Sequence, residues 1–190
     1  MLKVKNVILV SLFAALTAIG AFIKIPIPYV PFTLQFMFCA LSAILLGGRM
    51  GALSQLVYVI TGLIGIPIFT EGGGFSYIFK PTFGFLIGFI VAAYFMGKIT
   101  ERVKKVIVIK IFLIVFLGLI IVDVLGLIHM YLIYNVFSSQ VKNIKWIIYY
   151  GFILGFPEDL VLTLITSIVA ARVYPVLKKI GFNTNKTIAN

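Results

Sequence analysis

The sequence predicts an all-α membrane protein with six transmembrane helices and both termini on the cytoplasmic side. Of its 190 residues, 62% are hydrophobic and only 11% are charged, and the mean hydropathy is +1.19. Soluble domains of this length carry much less apolar surface, so the composition favours a polytopic membrane protein. The apolar residues fall in six runs joined by short connections. We therefore treat residues 1–190 as a single integral-membrane domain.

The first two predicted helices are joined by a loop rich in proline. Residues 7–23 form the first helix, whose apolar run is longer than that of a signal peptide. The following Lys24-Ile25-Pro26 does not resemble a cleavage site, so we expect this helix to be retained. Three prolines in residues 24–32, the proline loop, exclude a regular helix. Residues 33–46 form a somewhat short second helix, and residues 47–49 form a tight polar turn.

The most unusual stretch of the chain lies between the third predicted helix, residues 51–66, and the fourth, residues 82–96. Residues 67–81, the glycine loop, contain three successive glycines, a proline at each end, Glu71 and Lys80. Glycine lets a backbone approach a ligand closely, and the residue before a proline is biased away from helix. We predict an ordered loop at one membrane face that closes over a substrate.

The C-terminal half supplies two further spans. Residues 98–105 are charged and resemble a soluble segment, and residues 106–137 are long enough for a tilted fifth helix. Residues 138–145 form a polar turn. Residues 146–173 form the sixth helix, which ends in a basic tail.

The distribution of lysine and arginine predicts the orientation of these spans. If the N-terminus is cytoplasmic, ten cations fall on the inner side: Lys3, Lys5, Arg49, Lys98, Arg102, Lys104, Lys105, Lys178, Lys179 and Lys186. Four fall in the outer loops: Lys24, Lys80, Lys142 and Lys145. An excess of cations in cytoplasmic loops places both termini inside, and it places the proline and glycine loops together outside.

Charge and cysteine content exclude several functional classes. The net charge of +11 comes from cations between hydrophobic spans, which points to membrane lipids and not to nucleic acid as the partner. The single cysteine, Cys39, excludes an internal disulfide and a cysteine cluster, and the presence of only one histidine argues against zinc chemistry. We expect neither a metal nor a cofactor.

Three carboxylates fall inside predicted spans. A charge near the centre of a bilayer costs roughly 2.5–3.5 kcal/mol on insertion scales, so Asp123, Glu158 and Asp159 are expected to face an interior site. Asp159, Thr163 and Thr166 share one helix face and form a polar stripe. Asp123 is either a structural acid bonded to a neighbouring helix or a ligand contact. An interfacial position just after Pro157 is the alternative for Glu158 and Asp159.

Other residues have structural readings as strong as the functional ones. Ala14 and Ala18, four residues apart on the first helix, allow close approach of another helix, either within the chain or from a partner. His129 lies on a different helix face from Asp123, which excludes a dyad and favours a packing role. Four tyrosines cluster with Asn135 near the outer ends of helices five and six: Tyr131, Tyr134, Tyr149 and Tyr150. We expect most of them to belong to an interfacial belt and a few to line an outward pocket.

Four segments in a fixed order resemble one family. They are VPFTLQ (residues 30–35), GGRMGALS (47–54), the segment from GIPIF to PTFGFLIGF (65–89) and FPEDL (156–160). Together they resemble the BioY family, the biotin-binding S components of energy-coupling factor (ECF) transporters. The resemblance covers nearly the whole chain.

The resemblance implies a membrane substrate-binding domain that takes up biotin from outside, under the proline and glycine loops. It implies as partners a transmembrane coupling subunit, which would meet Ala14 and Ala18, and two cytoplasmic ATPases. It also implies a location in the bacterial cell membrane, spanned several times. The implied ligand contacts, with Asp159 suited to the ureido N–H groups, are Gln35, Gly73, Ser76, Tyr77, Lys80, Thr82, Tyr150 and Asp159.

One departure from the family pattern concerns charge. The family follows its aspartate with a lysine three residues later, where this chain has Leu162, and Glu158 stands in place of the family glycine. An anionic ligand therefore lacks a cation here, and we hypothesise that Lys80 supplies it from the glycine loop. The departure leaves open a different vitamin or a biotin precursor as the ligand.

Two other classes of function fit the sequence less well. An intramembrane metalloenzyme is disfavoured by the single histidine and the scattered acids. A stand-alone carrier is disfavoured because the halves of the chain show no repeat. No nucleotide-binding motif is present, so we do not expect the chain to be an ATPase. The resemblance implies a transport subunit and not an enzyme, with transport powered by the partner ATPases.

Overall fold

The computed structural model describes residues 4–103, 105–138 and 140–179, and these are mostly helical. The elements in chain order are α1 (Val4–Phe22), β1 (Lys24–Ile25), β2 (Phe32–Thr33), α2 (Gln35–Leu46), α3 (Gly48–Leu63), α4 (Phe83–Arg102), α5 (Val108–Leu132), α6 (Ile144–Ile148) and α7 (Phe156–Lys179). A 3₁₀ helix spans Phe75–Phe79, and π-helical turns span Ile133–Phe137 and Tyr149–Ile153.

Four helical segments of the described chain are long and apolar enough to cross a membrane. They are Val4–Phe22, Phe83–Arg102, Val108–Phe137 and Ile144–Leu177. Large apolar side chains stand exposed on their outer surfaces, including Leu12, Leu113, Leu117 and Leu164. Lipid tails are the environment in which such a surface is stable, so the chain is a membrane protein.

The short helix α2 lies at the centre of the helical bundle. It contacts α1, α3, α4 and α7, and ten of its twelve residues are buried. A helix enclosed on every side is apolar all round, which explains why α2 has no polar face. Its burial, and not its length, makes it part of the membrane domain.

The connection from α2 to α3 is tighter than the predicted turn. Only Gly47 lies outside the helices, with φ at 83°, because α3 already begins at Gly48. Helix α4 continues to Arg102, six residues beyond the predicted end of the fourth helix at residue 96. The Glu101 carboxylate accepts the Gly48 N–H at 2.9 Å and Lys98 Nζ at 2.9 Å, and this stabilises the extension.

The sixth predicted helix is interrupted. A π-helical turn, Tyr149–Ile153, separates α6 from α7, which extends beyond the predicted end at residue 173. Gly151 lies within this turn, where a Cβ would come 2.6 Å from the Leu127 side chain of α5. The wider π-helical turn at this point of close contact lets the segment pack against α5.

The proline loop contains two short strands that were not predicted. Strands β1 and β2 pair antiparallel, with Lys24 opposite Thr33 and Ile25 opposite Phe32. The prolines lie between the strands, where their missing N–H groups leave the ladder intact. Of the cations used to predict orientation, Lys3, Lys104 and Lys186 lie outside the described residues.

Candidate substrate-binding site

A cleft opens between α2, α4, α5 and α7, beneath the proline and glycine loops. It contains about 780 Å³ of space free of protein atoms, part of which is open to solvent. The part of that space that the centre of a water-sized sphere can reach is about 90 Å³. The largest share of the wall is apolar or aromatic and comes from the bundle: Phe36, Phe85, Leu86, Phe89, Leu119 and Val122.

Two carboxylates from different helices line the same cleft. Asp123 comes from the middle of α5 and Asp159 from the first turn of α7, and the two interact electrostatically. Asp123 is 6% exposed, and its Oδ2 has no hydrogen-bond partner in the described chain. None of the described residues that line the cleft is a lysine, an arginine or a histidine. The site therefore offers acceptors of N–H groups and no positive charge.

Gln35 connects the floor of the cleft to the start of the glycine loop. Its Nε2 donates to Tyr58 Oη at 2.8 Å, and that hydroxyl donates to the Ile68 carbonyl at 3.0 Å. The Thr33 hydroxyl donates to Gln35 Oε1 at 3.0 Å. Gln35 is 4% exposed, so its amide is fixed by these bonds where it lines the cleft.

Tyr77 anchors the other end of the glycine loop. Its ring is 3% exposed and packs against Phe69, with the centroids 4.5 Å apart. Its hydroxyl lies 3.0 Å from Thr70 Oγ1 and 3.4 Å from Thr82 Oγ1. Tyr77, Thr70 and Thr82 all line the cleft, so this bonded group forms part of its polar rim.

The remaining predicted residues of the glycine loop lie outside the lining of the cleft. Gly73 packs against the end of α3, where a Cβ would come 2.3 Å from the Ile66 carbonyl oxygen. Ser76 is exposed. Lys80 pairs with Glu71 at 3.1 Å on the exposed side of the loop. The structure thus brings Gln35, Tyr77, Thr82, Tyr150 and Asp159 together, and it leaves Gly73, Ser76 and Lys80 apart from them.

The proline loop reaches both the glycine loop and α6. Lys24 Nζ donates to the Thr70 carbonyl at 2.9 Å. Tyr29, with φ at 71°, packs its ring edge-on against Trp146 and Tyr150, with centroids 4.6 and 4.9 Å away. These contacts hold the loop across the cleft.

The contacts that hold the proline loop were missed by sequence reasoning. The single tryptophan of the chain and a tyrosine between two prolines were the available signals for Trp146 and Tyr29. Their pairing depends on tertiary structure. Thr70 carried no signal beyond its place in the loop.

The stripe on α7 divides between the cleft and the core. Asp159 lines the cleft, whereas Thr163 and Thr166 are fully buried. The Thr166 hydroxyl donates to the Leu162 carbonyl at 2.7 Å. Leu162 itself is 4% exposed and lines a separate apolar groove beside Glu158, not the cleft.

Two further residues have structural roles in the described chain. His129 Nε2 lies 3.1 Å from the Ile78 carbonyl, and its ring packs against Phe83, so it links α5 to the glycine loop. On α1, Ala14 is 7% exposed and belongs to the core of the bundle, whereas Ala18 is half-buried. The neighbouring Ala15 is exposed.

Comparison with known proteins identifies the family of this chain. The BioY family matches residues 1–179. A protein of Lysinibacillus sphaericus described as "Probable biotin transporter BioY" is 41% identical over 173 residues, which cover 91% of this chain and 88% of that protein. The "Biotin transporter BioY" of Thermotoga maritima is 41% identical over 99 residues, which cover 52% and 59% of the two chains.

A solved structure agrees with this match over the whole bundle. The crystal structure of the S-component for biotin from an ECF-type ABC transporter superposes with a TM-score of 0.78 and 26% identity. The superposition covers 90% of this chain and 91% of the solved one. With its cleft, its two covering loops and this match over residues 1–179, the chain belongs to the BioY family.

Proposed function

We propose that this chain binds biotin in the cleft and is the substrate-binding S component of an ECF-type ABC transporter. The observation that carries the proposal is a cleft with an aromatic wall and two hydrogen-bond acceptors, Asp123 and Asp159, within a chain of this family. The L. sphaericus relative and the superposed S-component, both described as acting on biotin, support it. The chain is thus a transport subunit and not an enzyme.

The chemistry of biotin suits the cleft. Its bicyclic body is apolar and matches the wall formed by Phe36, Phe85 and Phe89. Its ureido group carries two N–H donors. Carboxylates are the strongest side-chain acceptors that a protein offers to such donors. Gln35, Tyr77, Thr82 and Tyr150 surround the remaining space with hydrogen-bonding and aromatic groups.

The residues of the glycine loop outside the cleft have a different proposed role. Gly73 keeps the loop packed on α3, since any side chain there meets the Ile66 carbonyl. Ser76 and Lys80 lie exposed beside the closed loops, where an entering ligand passes before binding. They therefore act in entry more than in the bound complex.

We infer six spans in the membrane, because α6 and α7 follow one another as a single segment and α2 and α3 complete the bundle. The excess of cations on one side supports cytoplasmic termini in a bacterial cell membrane. The proposed partners are a transmembrane coupling subunit and two cytoplasmic ATPases. On α1, the half-buried Ala18 and exposed Ala15 are more accessible to such a subunit than Ala14.

The proposal is tested by calorimetric titration of the purified chain in lipid nanodiscs. We expect saturable binding of biotin and no heat with riboflavin or thiamine. Binding of another vitamin without binding of biotin would refute the substrate and leave the fold unaffected. Co-purification of a coupling subunit and ATPases from the native membrane tests the partners, and a chain that elutes alone from gently solubilised membranes argues against them.

A further inference from the structure

Asp123 is a buried acid whose hydrogen-bonding capacity is not used within the chain. It is 6% exposed, lines the cleft, and has an Oδ2 without a partner among the described residues. Leaving a buried carboxylate oxygen unpaired is unfavourable, so structures retain such a group where something else satisfies it. A structural acid bonded to a neighbouring helix would show such a bond, and Oδ2 shows none.

The side chains of Gln35, Tyr77 and the threonines of the cleft are already paired. Gln35 bonds Tyr58 and Thr33, and the hydroxyl of Tyr77 lies within bonding distance of two threonines. Besides the Tyr150 hydroxyl, the hydrogen-bonding capacity left in the cleft lies on Asp123 and Asp159, which face the same space from α5 and α7. Both are acceptors, and no cation from the described lining opposes them.

We propose that Asp123 contacts the ligand directly and, with Asp159, forms a two-carboxylate acceptor for a group that carries two N–H donors. This assignment rests on the proposed function, in which that group is the ureido ring of biotin. The same pair repels a carboxylate, so the acid group of the ligand points away from it, toward the loops and Lys24 at the mouth. Asp123 then determines specificity for the ureido end, and the acid end is weakly recognised.

The substitution Asp123→Asn distinguishes a ligand contact from a bystander by the sign of its effect. It keeps the shape of the side chain and removes its charge. If Asp123 accepts a ligand N–H, losing a charge-assisted bond weakens biotin binding by roughly 10- to 100-fold. If Asp123 does not touch the ligand, removing a negative charge near an anionic molecule leaves the affinity unchanged or increases it.

The experiment titrates the full chain in nanodiscs with biotin, biotinamide and two analogues methylated at one or the other ureido nitrogen. Wild-type protein is expected to bind biotinamide within about threefold of biotin and to bind at least one N-methyl analogue more than about tenfold more weakly. In Asp123→Asn, biotin binds more weakly, and the penalty for methylation shrinks for that analogue. Such coupling reports a direct contact, because a purely structural loss weakens all ligands equally.

Three results would overturn the assignment. They are biotin affinity in Asp123→Asn equal to or above wild type, an unchanged methylation penalty, and a large loss for biotinamide in the wild-type protein. If Asp123→Asn does not fold, as judged by thermal unfolding without ligand, the same titrations are made with Asp123→Ser. The affinities of the wild-type protein for the analogues then still test whether the ureido group is recognised. Absence of biotin binding to the wild-type chain would instead refute the proposed function, so that titration comes first.

Discussion

Two groups of polar side chains inside this bundle, one fully buried and one made of buried Asp123 and half-buried Asp159, differ in how completely they are paired. The first, which we call the Gln55 cluster, joins α1, α2 and α3 and consists of Thr17, Ser42, Ser54 and Gln55, all 0% exposed. Gln55 Nε2 lies within hydrogen-bond distance of all three hydroxyls, at 3.1–3.3 Å, and each hydroxyl donates to a carbonyl of its own helix. The second is the pair Asp123 and Asp159, where Asp123 Oδ2 has no partner in the described chain.

The difference separates groups that hold the fold from groups that await a ligand. In an apolar environment a buried polar atom is stable when it is bonded, so the saturated Gln55 cluster needs nothing further. An acid inside a membrane bundle that has unused capacity and also lines the cleft is a candidate for ligand binding. The comparison predicts that changes in the acid pair alter affinity, whereas changes in the Gln55 cluster alter stability.

The largest effect is expected for Asp159→Asn. It removes one of two acceptors for the ureido N–H groups, and we expect biotin to bind about 100-fold more weakly, the upper range for a bond to a charged group. Thermal unfolding without ligand should change little, because Asp159 is not bonded into the fold as the Gln55 cluster is. Calorimetry with biotin and a thermal melt measure the two quantities.

The matched control for that variant is Glu158→Gln. Glu158 is the adjacent acid, and its Oε2 also has no hydrogen-bond partner in the described chain, but it lines the separate groove with Leu162 and not the cleft. Its substitution should leave the dissociation constant within about threefold, since a neighbouring charge acts only through space. A loss of unfolding temperature in Asp159→Asn with affinity retained would contradict the division between the two groups.

The next effect tests the other half of the comparison. Gln55→Leu removes two bonds between helices, to Thr17 of α1 and Ser42 of α2, each worth about 0.6 kcal/mol in a membrane bundle, so the free energy of unfolding should fall by about 1.2 kcal/mol. The hydroxyls keep their carbonyl acceptors, so the fold survives. Biotin affinity of the folded protein should stay within about threefold of wild type, since the cluster does not line the cleft.

The control for Gln55→Leu is Gln140→Leu, the same substitution at an exposed position. Surface changes of this kind alter stability by less than about 0.5 kcal/mol. If the two variants unfold at the same temperature, the Gln55 cluster is not what joins the three helices.

A smaller effect on affinity is expected from the glycine loop. In Gly73→Ala the new Cβ would lie 2.3 Å from the Ile66 carbonyl oxygen and 3.0 Å from that of Gly62. These are backbone atoms, so the loop must shift, and we expect biotin to bind about tenfold more weakly, equivalent to roughly 1.4 kcal/mol. Ser76→Ala, in the same loop but exposed, should change binding less than about twofold, and equal losses in both would show that the packing of Gly73 is unimportant.

Hydropathy and proline placement predicted the helical segments, because both depend on local sequence. Membership in the BioY family was predicted from four short segments and is confirmed. The π-helical turn at Gly151 was not predicted, since it follows from the approach of Leu127 on another helix. Nor did local sequence predict the strands beside the proline loop, which depend on pairing between Lys24 and Thr33.

The candidate site divides in the same way. Asp159 and Tyr150 were predicted for the cleft from the helix that carries them, and both line it. For Asp123 sequence could not choose between a structural and a binding role, because the choice depends on whether another helix supplies a donor. The surroundings of Lys80 could not be predicted from the sequence either, because its ion pair with Glu71 forms only when the glycine loop folds back on itself.

The smallest effect is expected for Lys80→Met. This variant tests whether the glycine loop supplies a cation to the ligand in place of the family lysine, where this chain has Leu162. The Lys80 and Glu71 side chains are 51% and 45% exposed, so their ion pair contributes little and lies away from the cleft. We therefore expect the dissociation constant for biotin to change less than about threefold. Lys24→Met, which also removes the bond to Thr70 at the rim of the cleft, should have the larger effect. A loss of more than about tenfold in Lys80→Met alone would instead place its ammonium on the acid group of biotin.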